Sequence, residues 1–209
     1  MRTVIQIILG IAIVMMGYLL VESIMNPIRF NQEKDRRYDA TIKRLKDIRT
    51  AQVAYKAVYG EFTGSFDTLI NFIKTDSFRV VKKEGMLSDS LIEAGWTERE
   101  ALRAGIISRD TIRVSVLDSL FGHRFHVDSL RYIPYSRGKE FEMGATNIET
   151  GSKVNVEIFE VKVHNNVLLE GLDEQLIINF NEEREKMTGY PGLRVGSLEE
   201  ATNNAGNWE

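Results

Sequence analysis

His123 and His126 come nearest to a chemical motif in this chain. They flank Arg124 and Phe125, a spacing that on a helix would let two imidazoles share a metal ion. The surrounding residues read instead as a turn entering a strand, where these side chains point to opposite faces. His164, the remaining histidine, closes a different strand. Turn and sheet-edge histidines without a metal are therefore expected. Ser88-Asp89-Ser90, Asp118-Ser119 and Asp128-Ser129 are ordinary turn chemistry. No nucleophile elbow, phosphate loop, dinucleotide fingerprint or zincin motif is present. Gly189, Gly192 and Gly196 lack the following lysine of a phosphate cradle. These readings point away from an enzyme and require no cofactor.

Aromatic residues are better candidates for contacts. Trp96 precedes Thr97-Glu98-Arg99-Glu100, a capping box that starts a helix through Leu102, closed by Gly105. The indole is expected to pack back as a staple, with ligand stacking as the alternative. Tyr190 and Trp208 lie in the turn-rich stretch 189–209, which reads as a loosely attached tail. An indole is a costly group to leave in water, so Trp208 is a candidate for docking on the domain or on a partner.

The 209 residues carry 27 basic and 30 acidic side chains, a balance without the positive field that would attract nucleic acid. The absence of cysteine excludes a disulfide framework, a thiolate metal site, a cysteine nucleophile and a lipobox anchor. Residues 4–21 are almost wholly apolar and approach the roughly 20 needed to cross a bilayer core. Val4, Ile8, Leu9, Ile13 and Leu19 are the anchor positions within residues 3–25, which contact membrane lipid. The run exceeds a usual signal-peptide core, and its exit lacks a small-x-small cleavage pattern, so a retained span is expected. Glu22, at its edge, can snorkel to the interface. Gly10 and Gly17, with Ala12 between them, offer small-residue contacts for partner helices.

The remaining elements follow from spacing. Pro27 predicts a kink or short break at the membrane exit. Ile42, Leu45, Ile48, Ala51, Tyr55 and Val58 then form one apolar stripe on a long helix that Gly60 ends. A second helix is expected over 66–73, with Ser65 or Thr63 as its cap. Residues 74–105 form a charged excursion. Strands are expected at 111–116, 125–135, 140–148 and 153–164, paired as an antiparallel sheet. Alternation slips by one residue between Ile158 and Phe159, as for a bulge or a strand that changes the face it buries. Residues 168–180 fit a strand or a helix, with the helix favoured by Leu172, Leu176 and Phe180. The expectation is an α+β protein in which an N-terminal transmembrane helix continues into a long amphipathic helix packed on an antiparallel β-sheet. Its parts are an anchor (1–25), a juxtamembrane helix (26–60), an α+β domain (61–188) and a tail (189–209).

That architecture, together with Ala51, Ala54, Tyr55, Tyr59, Gly60, Phe62 and the short second helix within residues 48–69, resembles type IV pilins and type II secretion pseudopilins. The resemblance covers about the first third of the chain. Gln6 stands near the place of the family's glutamate, and no basic leader ending in glycine precedes the apolar run. Architecture and a non-cytoplasmic location are therefore what the resemblance implies, and not the role of a pilus subunit. It implies a bacterial inner-membrane protein with a periplasmic domain, acting as a non-catalytic component of an envelope assembly. Its partners would be other membrane or envelope proteins, or further copies of itself. The positive-inside rule, applied to Arg29, Lys34, Arg36 and Arg37, alone gives the opposite orientation. The alternative function is an anchored domain that binds a ligand or envelope polymer in a pocket around Trp96 and the histidines.

Overall fold

The computed structural model describes residues 2–93, 95–149, 151 and 153–209, with the side chains of Val4, Lys83 and Ser90 outside that description. The protein has an α+β fold. Helix α1 (Arg2–Tyr59) runs without interruption through Pro27 for 58 residues, roughly 87 Å. The break expected at Pro27 is absent. Proline removes one backbone rung and crowds the preceding turn, but contacts on either side hold the two segments in one helix. Asn26 donates from Nδ2 to Asp173 Oδ2 at 2.9 Å, and Phe30 is buried one turn later.

The second half of α1 is the spine of the domain rather than a stalk beneath it. Leu45, Ile48 and Ala51 are wholly buried and Tyr55 nearly so, as the stripe requires. Val58, counted in that stripe, is instead exposed, one residue before the helix ends at Tyr59. Gly60 closes the helix at φ +84°, donating to Lys56 O at 2.8 Å. Helix α2 (Phe66–Thr75) packs Phe66, Leu69, Ile70, Phe72 and Ile73 inward. Ser65 occupies its N-cap position without a side-chain cap bond, and Thr63 Oγ1 instead accepts from Ser65 N.

The expected four-stranded sheet is replaced by two sheets. Strand β1 (Ser77–Glu84) lies within what read as a charged excursion and pairs with β2 (Ser108–Ser115) in an antiparallel ribbon. Helices α3 (Asp89–Glu93) and α4 (Glu98–Arg103) connect them, and α5 (Val116–Leu120) follows. Residues 125–135 form no strand. They contain a 3-10 helix, Val127–Arg131, which buries Val127 and Leu130, and Ile133 just beyond it is buried at the same three-residue interval.

The main sheet orders β3 (Glu142–Glu149), β4 (Asn155–His164) and β5 (Gly192–Gly196), all antiparallel with β4 central. Pairing from Glu142↔Lys162 to Glu149↔Asn155 is one to one, so the phase slip at Ile158 is no bulge. The strand changes the face it buries: Phe159, Val161 and Val163 point to the core, joined by their neighbours Val195 and Leu193. Between β4 and β5 lie α6 (Asn165–Leu168) and α7 (Glu174–Thr188). Residues 168–180 thus give helix and loop, not strand. β5 comes from the segment read as a loose tail. Leu193 and Val195 are fully buried, and Val195 bridges Gly206.

Candidate functional site

The apolar half of α1 is the most exposed hydrophobic surface of the protein. An 18-residue window of this helix near its N-terminus has mean hydropathy 2.3 and buries nothing within the protein. Ile8, Leu9, Ile13 and Leu19 are each more than half exposed, while Val4 lies in the helix with its side chain outside the description. By length and composition this segment can cross a membrane, and helical geometry satisfies its backbone without outside partners. Glu22 sits just past it, 3.5 Å from Arg29, with both side chains largely exposed.

At the exit of this run α7 meets α1. Asp173 caps α7 through Leu176 N, its second carboxylate oxygen accepts from Asn26, and these bonds hold its carboxyl below the usual range. Farther along, Lys34 lies 4.8 Å from the Phe180 ring and Tyr38 meets that ring edge-on at 5.7 Å. Tyr38 is hydrogen-bonded to Asn165 Oδ1, Asn165 donates to Asn181, and Asn181 donates to Asn166. Burial pushes the Tyr38 phenol well up. Arg37 donates to the carbonyl oxygens of Leu168 and Glu170 at 3.1 and 3.0 Å. These polar contacts fix α1 against α6 and α7 and leave no reactive group unengaged among them.

The sequence-selected aromatics are scattered. Trp96 stands in the excursion, where Thr97 and Glu100 make both bonds of the capping box. Ala101, four residues past the cap, is wholly buried, whereas Trp96 is itself more than a third exposed. Beside Trp96 is an open concavity of about 510 Å³ lined by Gly95, Glu100, Arg103 and Ala104. None of the histidines lines it. His123 pairs with Asp118 at 2.5 Å, and His164 Nδ1 accepts from Asn166 N as the cap of α6. Among the described residues no three potential ligands gather around a common metal position.

Trp208 docks on the domain: its ring packs against the core and folds over Gly206. Glu209 completes the attachment by accepting from Arg49 of α1 at 2.7 Å, and that bond lowers its carboxyl pKa. Tyr190 lies on the outer face of the main sheet, 6.0 Å from both Lys162 and Arg194 and edge-on to His164. Burial, with Glu142 and Glu160 adding to it, pushes its phenol up to about 12.

Sequence reasoning missed the charged group beneath that ring. Glu160 is 7% exposed, yet it lies 2.9 Å from Lys162 and 3.9 Å from Arg194. Cross-strand pairing of Glu142 with Lys162 and of Lys162 with Arg194 explains the assembly. The signal was available in Glu160-Val161-Lys162 and Arg194, whose charges alternate with core residues. The group is a paired ion network without an adjoining nucleophile, and it locks β5 to β4. No family model, no curated protein and no solved structure matches this chain.

Proposed function

We propose that the protein is a single-pass, membrane-anchored structural or interaction component of a bacterial envelope assembly, with its folded domain in the periplasm. One observation carries this reading: a single helix supplies both an unburied apolar segment of membrane-spanning length and the spine of the domain. A signal peptide or a tethered anchor needs no such rigid continuity. A force or displacement applied to the span passes into the domain without a flexible joint, a property suited to assembly rather than to catalysis. The pseudopilin resemblance in residues 48–69 supports the periplasmic orientation.

Two measurements test the proposal. Periplasmic and cytoplasmic reporters fused after Glu209 are expected to report the periplasm; a cytoplasmic signal overturns the orientation and the pseudopilin comparison with it. Mild extraction of the tagged chain from native membranes is expected to recover other envelope proteins in fixed ratio. Repeated recovery of a lone monomer overturns the assembly role.

A further inference from the structure

Helices α1 and α7 run side by side in the same direction. Asp173, at the start of α7, bonds Asn26, while Phe180, seven residues on, meets Lys34 and Tyr38. Seven residues of helix rise about 10 Å and the eight from Asn26 to Lys34 about 12 Å, so the two axes advance together. The N-terminal end of α7 is consequently the part of that helix nearest the apolar run. A shared groove is lined by Leu19, Glu22, Ser23 and Asn26 of α1 and by Gln175 and Leu176 of α7.

Val21 ends the apolar run, and Asn26 lies about 7 Å of helix beyond it. The polar layer on each side of a bilayer core is about 5–7 Å thick. Asp173 stands level with Asn26, and the groove that the first turn of α7 shares with α1 extends from there back to Glu22 and Leu19, and therefore into this layer. The groove also combines an aliphatic residue of the span with polar side chains, the mixture that an interfacial environment accommodates. Its charges, Glu22 paired with Arg29 and Asp173 bonded to Asn26, offer no free cation to select anionic lipids.

We infer that the folded domain is seated directly on the bilayer, with the first turn of α7 in the headgroup layer beside the exit of α1, held there by the Asn26–Asp173 hydrogen bond. The occupant of the groove is lipid headgroup and upper acyl chain of the membrane that the apolar run crosses; the inference rests on that span. Seating has a mechanical consequence. The proline-weakened turn at Pro27 is splinted from the side, so the domain holds one tilt relative to the membrane instead of pivoting on its anchor.

The absence of cysteine makes any introduced thiol unique. Nitroxide labels would be placed separately at Val14→Cys in the span, Gln175→Cys in the groove and Met187→Cys at the far end of α7, in the full chain reconstituted in phosphatidylcholine vesicles. Gln175 and Met187 are both exposed on the protein, so a difference in collision rate between them reports the membrane. The Val14 label is expected to favour oxygen over a water-soluble nickel complex. The Gln175 label should show several-fold fewer nickel collisions than the Met187 label, and Asn26→Ala should narrow that gap. Equal nickel access at 175 and 187, with the Val14 label in lipid, overturns the seating and leaves the span intact. Free nickel access at Val14 overturns the span itself.

Discussion

Two antiparallel pairings in this protein have the same length and opposite fates. β1 and β2 pair over eight residues, as do β3 and β4. The main sheet buries Phe159, Val161 and Val163 against α1, whereas the ribbon leaves Val80, Val81 and Ile112 exposed. Its Arg79 stands directly across from Arg113, whereas the like pair of the main sheet, Lys162 across from Arg194, has the buried carboxylate of Glu160 within 2.9 and 3.9 Å. Like charges in register oppose pairing, and an isolated two-stranded ribbon is marginal in water. Backbone hydrogen bonds are common to both sheets, so the difference lies in what covers them. Strand geometry alone makes neither sheet stable. Burial against α1 makes the main sheet part of the core, and the ribbon depends on its base, where Phe78 packs on that core and Val116 N donates to Asp76 O.

The sharpest way to break the comparison is to empty matched positions. Phe159→Ala removes a fully buried ring from the centre of β4 and is expected to cost about 4 kcal/mol. Ile112→Ala trims a side chain already more than a third exposed, and should cost less than about 0.5 kcal/mol. Urea unfolding of the full chain in detergent, followed by near-ultraviolet circular dichroism, measures both. Equal losses would mean that the ribbon belongs to the same cooperative unit as the main sheet.

Backbone strain separates the regions next. Gly196 holds φ +72° at the end of β5, and an added Cβ would stand 2.0 Å from Phe159 O in the neighbouring strand. Gly196→Ala is expected to destabilise the whole domain by about 3 kcal/mol. Gly85 is equally constrained, at φ +89° with its Cβ position 2.2 Å from Ile106 O, but it closes the far end of the ribbon. Gly85→Ala should accelerate amide exchange in β1 and β2 while leaving the global unfolding midpoint in place. A shifted midpoint would show that the ribbon contributes to global stability.

The same contrast governs what could be read in advance. Strand β4 was legible because burial imposes a pattern on its side chains, whereas β2, expected at 111–116, and β3 were legible from residue type although no residue of either is fully covered. Elsewhere in the weakly buried parts of the chain the pattern fails. Ser77-Phe78-Arg79-Val80-Val81-Lys82 places adjacent valines on opposite faces of a ribbon with no fully covered side, so β1 passed for a charged loop. β5 carries the alternation Leu193-Arg194-Val195, but Gly192 and Gly196 bound it so closely that turn chemistry dominated. Val127 and Ile133 are β-prone types, but with Leu130 they fall at a three-residue period, and that period fits the 3-10 helix Val127–Arg131 and the residues just after it. Pro27 predicted an interruption from local sterics, whereas contacts with a segment some 147 residues away keep the helix whole. The docking of Trp208 was anticipated from the cost of exposing an indole, and Gly206 supplies the space for its ring.

The smallest effect sharpens the comparison from the ribbon side. Glu100 accepts from Thr97 N at 2.8 Å and from its hydroxyl at 2.9 Å, and these bonds hold its carboxyl below the ordinary range. Because the folded value is the lowered one, the stabilisation is fully present above the unfolded carboxylate value and is lost as pH falls through the folded value. Carbon-13 titration of Glu100 should therefore give a midpoint below that of a glutamate model peptide. Thr97→Ala removes the hydroxyl donor and keeps the backbone N–H, so it should raise that midpoint only part of the way to the model value, and it should fray α4. In the body of the domain the corresponding contact is Arg49–Glu209, which ties the chain terminus to the spine. Loss of the capping box touches only the excursion, so the global urea midpoint of the Thr97→Ala variant should match that of the parent chain. A lowered midpoint would place α4 inside the cooperative core and erase the distinction between the two sheets.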